Sequence, residues 1–151
     1  RPAHWGDMPK KLGYLDLMHV ASWQISFKRE SIVNNNVYFD EHMGAGSGNG
    51  AEEEFRFLTD CRKNGLAIYY VPFVIADVAQ TKSTWFKGYN EEFFINRGNT
   101  TRYIMGYVPA VLYAAYYSIR KRHQFDSDIS WFKAFRLIMK GIHENRLGKK
   151  K

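Results

Sequence analysis

Apolar and polar positions follow different periods in different parts of this chain, and each period predicts an element. Residues 1–17 are mixed and broken by Pro2, Pro9 and Gly13. Residues 21–27 alternate, with Trp23, Ile25 and Phe27 on one face, which predicts a strand. Residues 28–32 suit a short helix or turn, and Asn34, Asn35 and Asn36 mark a loop. A glycine-rich run over 43–51 leads into a helix predicted over 52–64, with Phe57, Leu58 and Cys61 at helical spacing. Gly65 suits the position just past that helix, and Arg62 and Lys63 suit its last turn. Residues 66–71 predict a strand stopped by Pro72, and residues 73–78 a second extended segment. Residues 81–88 read as loop and 90–97 as a short helix, with Asn99 or Thr100 capping the next one. The run 103–119 carries no charge, is interrupted by Gly106 and Pro109, and includes five tyrosines. Its length reaches only the lower limit for a membrane span, and the tyrosines and Pro109 argue against one. A last helix is predicted over 131–144, with Trp131, Phe135, Ile138 and Ile142 on one face and Lys133, Arg136 and Lys140 between them.

Composition narrows the class. Apolar residues make up 45% and charged residues 25%, which suits a folded domain and excludes a disordered one. The aromatic share of 17% suits a dense core or a surface for carbohydrate or lipid. Charge is uneven: residues 1–96 hold 10 basic against 12 acidic side chains, and residues 97–151 hold 12 against 3. The surplus of +7 therefore lies in the C-terminal third and points to an anionic partner. Cys61 stands alone, which excludes a disulfide framework and a cysteine zinc site, and suits a reducing cytoplasmic setting. Arg1 follows no initiator Met and opens no signal-peptide pattern, so the start is expected to be a cut into a longer chain.

The stretch richest in chemistry is Glu52, Glu53 and Glu54 behind the glycine loop. Three adjacent carboxylates repel one another, so a closed site raises the pKa of at least one. A carboxylate in the first turn of a helix is rigidly held and is a workable general base toward a sugar hydroxyl. The plainer reading is charge compensation at a helix N-terminus. Asp126, Ser127 and Asp128 form a literal Asp-x-Asp, but no hydrophobic strand leads into it, and capping of the last helix by Asp128 or Ser130 is the simpler role. The glycine loop lacks a preceding strand and is followed by acids that repel a pyrophosphate, so it is a poor dinucleotide fingerprint. Arg97 and Arg102 can face a diphosphate or simply end a helix in solvent.

In order and spacing, residues 20–100 resemble the acceptor half of the inverting family-2 glycosyltransferases, which have the GT-A fold. The resemblance is carried by residues 23–30, by Phe39, Asp40 and Glu41, by the glycines from 44 to 50, by Glu53 and Glu54, by Gly65, and by residues 68–72, Ile-Tyr-Tyr-Val-Pro. Ser83, Thr84 and Trp85 resemble a Ser-Thr segment of some bacterial members. The resemblance implies that Glu54 is the base, with Glu53 beside it or replacing it after a slip of one residue. It implies an acceptor site with Trp85, Trp23, His42, Ser83 and Thr84 as candidates. Members often place a histidine after the Val-Pro; none lies between His42 and His123 here, which leaves Asp77 as a weak metal candidate. A divalent metal, Mg²⁺ or Mn²⁺, is expected mainly through a donor-binding half outside the 151 residues.

The expectation is therefore α/β: a partial GT-A-like domain over 1–100 with few strands, then a basic, aromatic helical region over 101–151. The implied activity transfers a sugar from a nucleotide-sugar donor to a saccharide or lipid-linked acceptor with inversion, in bacterial surface polysaccharide synthesis. The fragment alone is expected to be inactive. Residues 103–151 suit an anionic membrane surface at the inner face of the cell membrane, with Trp131, Phe132 and Phe135 at the acyl boundary. No nucleic-acid motif is present, and a homo-oligomer through the aromatic helices is compatible with the pattern. The alternative is a non-catalytic basic module that binds a membrane or a protein partner.

Overall fold

The computed structural model describes residues 5–44, 47, 52–75, 86 and 88–150, the last without its side chain. The chain divides into two compact units, one of residues 1–41 and 52–81, the other of residues 42–51 and 82–151. Across the described residues the structure is mainly helical with a single two-stranded sheet.

In the first unit, β1 (Lys10–Lys11) pairs antiparallel with β2 (Tyr69–Tyr70), Lys10 opposite Tyr70 and Lys11 opposite Tyr69. The Leu12 N–H extends the ladder by donating to the Ile68 carbonyl at 2.9 Å. A short helix α1 (Arg29–Asn34) follows, and Asn36 turns the chain at φ +52°. The main element is α2 (Glu53–Lys63). It buries Phe57, Leu58 and Cys61 as its spacing predicts, and Phe55 and Thr59 as well. Phe57 is the centre of this packing: Phe39 stacks on it with ring centroids 4.2 Å apart, and Phe27 tilts against it at 5.7 Å. Gly65, at φ +79°, ends α2. Its N–H donates to the Arg62 carbonyl and that of Leu66 to the Cys61 carbonyl, which satisfies two orphan carbonyls of the last turn.

The strand predicted over 21–27 is absent. Ser22–Gln24 is a turn of 3₁₀ helix, because the Gln24 side-chain oxygen accepts the Ala21 N–H at 3.0 Å and closes the backbone locally. Of the strand predicted over 66–71, only Tyr69–Tyr70 pairs, and residues 71–75 have no regular structure.

The second unit holds three helices: α3 (Glu91–Met105), α4 (Tyr107–Arg120) and α5 (Trp131–Glu144). Asn90 caps α3 by accepting the Phe93 N–H at 2.9 Å, and Ser130 caps α5 by accepting the Lys133 N–H at 3.4 Å. Asp128 is not that cap. The chain reverses at Gly106, whose φ of +88° stops α3, and Pro109 sits in the first turn of α4, where no helical N–H is lost. The 103–119 run is thus shared between two helices, and no helix among the described residues is long and apolar enough to cross a membrane.

Contacts give the directions. Lys133 pairs with Glu91 at 2.6 Å near the start of both helices, and the Arg146 N–H donates to the Asn99 side-chain oxygen at 2.7 Å farther along. So α3 and α5 run parallel. Arg97 reaches Tyr113, and Tyr107 at the start of α4 meets His143 at the end of α5, so α4 runs opposite to both. Where α3 crosses α5, both helices carry glycine. A Cβ on Gly98 would lie 2.9 Å from the Ile138 carbonyl carbon and closer to its oxygen; one on Gly141 would lie equally close to the Ile95 carbonyl. The two backbones meet with no side chain between them. The core beside this crossing is Phe94, Ala110, Ala114, Phe125, Ala134, Ile138 and Ile142.

The boundary expected near residue 100 falls inside α3, and the predicted break there does not exist. Asn99 and Thr100 are buried instead of capping. Asn99 is spent on tertiary structure: its amide nitrogen donates to the Ile95 carbonyl at 3.1 Å and its oxygen accepts from Arg146. On α5, Ile138 and Ile142 face the core as predicted, Phe135 is half-buried against it, and Trp131 is exposed.

Gly98→Ala or Gly141→Ala must push the two helices apart. Each is expected to destabilise the helical unit by about 3 kcal/mol, measured by urea denaturation followed by circular dichroism at helical wavelengths.

Candidate functional site

The first turn of α2 is built on a strained entry. Glu52 precedes the helix at φ +88°, a left-handed conformation that a non-glycine residue holds only when its surroundings impose it. Glu53 and Glu54 then occupy the first turn, where the helix dipole favours negative charge. Both are half-buried.

Glu53 is buried deeply enough to perturb its carboxyl. Its Oε2 atom is buried and accepts no hydrogen bond among the described residues. Burial raises its carboxyl pKa above the ordinary glutamate range, and the neighbouring Glu54 charge raises it further. The backbone N–H groups of Glu53 and Glu52 pull the other way and do not offset the burial. A carboxylate with a raised pKa and an uncommitted oxygen is a proton acceptor in waiting. The sequence points to this cluster but does not separate its members, because the difference arises from burial in the folded helix.

The other predicted site residues fall in one unit or the other, or outside the described residues. Trp23 stands in the 3₁₀ turn of the first unit, 36% exposed, so its ring is partly available. His42 is exposed and belongs to the segment grouped with the second unit. Asp77, Ser83, Thr84 and Trp85 lie outside the described residues. Among the described residues, no three His, Cys, Asp or Glu side chains are grouped to hold a metal ion. A shallow cleft of about 250 Å³ is lined by Lys11, Arg62, Gly65, Leu66, Ala67 and Ile68, at the end of α2 remote from the glutamates.

Of the two arginines weighed for a diphosphate or a helix end, Arg102 lies in the last turn of α3 and Arg97 in its interior. Arg97 lies within α3, donates to the Tyr113 hydroxyl at 2.6 Å, and has its guanidinium 5.0 Å from the Phe93 ring centre and 4.7 Å from that of Tyr117. Arg102 lies over the Tyr107 ring at 5.1 Å. Asp126 and Asp128 are exposed in the connection before α5. Cys61 is buried, and desolvation, with the Asp60 charge second, pushes its thiol up to about 11.

Two outcomes follow from these environments. Glu53 binds its proton more tightly folded than unfolded, so stability falls as pH rises from the ordinary glutamate pKa through the raised one. Glu53→Gln is expected to remove that fall, read from melting temperatures of both proteins between about pH 4 and pH 7. The Cys61 thiol is expected to resist iodoacetamide at neutral pH in the native protein and to react promptly in urea.

Comparison of the chain with known protein families, with curated proteins and with solved structures finds no match.

Proposed function

We propose that this chain supplies the acceptor side of an inverting, nucleotide-sugar-dependent glycosyltransferase with a GT-A-type fold. The observation that carries the reading is the Glu53 carboxyl: half-buried, raised in pKa, with one oxygen uncommitted, in the first turn of a helix that follows a glycine loop. The order of motifs around it supports the same reading. In this proposal one glutamate takes the proton from an acceptor hydroxyl as that oxygen attacks the anomeric carbon of the donor sugar. The attack inverts the configuration, and the bond to the nucleoside diphosphate breaks. Resemblance assigns the base to Glu54, whereas the environment in the fold favours Glu53; the other orients the base or the acceptor. Trp85 and Trp23 are the candidates for stacking on the acceptor sugar, with His42, Ser83 and Thr84 as polar contacts. Mg²⁺ or Mn²⁺ belongs to the donor-binding half, and no step of the proton transfer depends on it.

The test is nucleoside diphosphate release from a panel of nucleotide sugars, by a polypeptide that joins this chain to a donor-binding half. Turnover is expected, and substitution of the base by glutamine is expected to lower it by about 10²- to 10⁴-fold with the fold intact. If Glu53→Gln carries the loss, the environment has identified the base; if Glu54→Gln does, the motif has. Turnover unchanged in both variants, or absent with every donor, defeats the proposal and favours a non-catalytic binding module.

A further inference from the structure

α4 turns several of its larger apolar side chains away from the core. Its inner face is made of Ala110, Ala114, Tyr117 and Ser118, all buried. Val108, Leu112, Tyr116 and Ile119 recur at helical spacing on the opposite side, each between 52% and 67% exposed. An apolar stripe of this length on a surface helix marks a contact with something.

The charges around the stripe indicate what. α4 carries no aspartate or glutamate. It ends at Arg120, with Lys121 and Arg122 next in the chain, none of the three ion-paired among the described residues. The start of α5 lies at the same end of the bundle, since Phe125 in the connection stacks on Tyr117 of the last turns of α4. There Trp131 and Phe132 are exposed, 45% and 55%, edge to face with one another, and Arg136 is exposed one turn on. Opposing charge at this end comes from Glu92, Asp126 and Asp128; Glu91 is held by Lys133. A second copy of the chain would bring the same positive surplus to the contact. A bilayer of anionic lipid supplies both an apolar layer and negative headgroups.

We propose that the outer face of α4, together with Trp131 and Phe132, docks on an anionic membrane surface. The helix lies in the plane of the interface, with Leu112, Tyr116 and Ile119 in the acyl boundary. Arg120, Lys121 and Arg122 meet lipid phosphates. Phe135, expected from the sequence to share this role, is packed against the core and is excluded from it.

The experiment is co-sedimentation of the full chain with vesicles of phosphatidylcholine alone and of equal parts phosphatidylcholine and phosphatidylglycerol. Binding to the anionic vesicles is expected to be stronger by at least about tenfold and to weaken with added salt. Leu112→Gln with Ile119→Gln is expected to weaken it at least about tenfold, as is the joint change Arg120→Gln, Lys121→Gln and Arg122→Gln. These side chains are exposed, Lys121 half so, and the helical circular dichroism should be unchanged; Val108→Gln alone serves as the apolar variant if the double change disturbs it. Equal binding to both vesicle types, or binding indifferent to the apolar variants, overturns the proposal. So does absence of vesicle binding alongside a concentration-dependent dimer that Leu112→Gln dissolves, which would assign the stripe to a second copy.

Discussion

The crossing of Gly98 over Gly141 is the constraint from which the helical unit follows. Two helices approach to backbone contact only where neither presents a Cβ, and here each glycine faces the other helix's carbonyl. That contact fixes α3 and α5 in parallel and in register. Register in turn brings the buried Asn99 side chain to the Arg146 N–H. Without the Arg146 N–H the buried Asn99 oxygen would lose its partner, so the bond reinforces the register that the glycines permit. α4 then covers the pair with Ala110, Ala114, Tyr117 and Ser118, which leaves Val108, Leu112, Tyr116 and Ile119 outward. The exposed stripe is thus a consequence of how the interior is filled.

Several elements were legible because local chemistry and tertiary packing agree. α5 has a serine cap and a clean apolar period, and its bounds match the expectation. α2 has acids at its start, bases at its end and Gly65 beyond. Where the two levels disagree, the sequence misleads. Asn99 and Thr100 look like caps because their side chains usually compete with helical backbone. Inside α3 they are held by burial and, for Asn99, by a partner 47 residues away, which no local pattern reveals. The alternation at 21–27 is a genuine strand signal with no neighbouring strand to pair with, and Gln24 closes a turn in its place. The role of Gly98 and Gly141 is equally hidden: each looks like a weak point in a helix until the other is seen opposite it.

The candidate site was legible as a cluster but not as individual residues. Three successive glutamates have the same local pattern, and what that pattern lacks is supplied by the fold, which buries one oxygen of Glu53 deeply enough to raise its carboxyl pKa. A helix N-terminus alone would draw a carboxylate toward its charged form. At Glu53 burial outweighs that pull, so the carboxyl holds its proton more tightly than an ordinary glutamate does.

The most direct measurement is the titration of the Glu53 side-chain carboxyl carbon by nuclear magnetic resonance, in the intact chain, with and without an oligosaccharide acceptor. The account predicts a midpoint above the ordinary glutamate range that moves when the saccharide is added. A midpoint in the ordinary range, with no response to any saccharide, would contradict it.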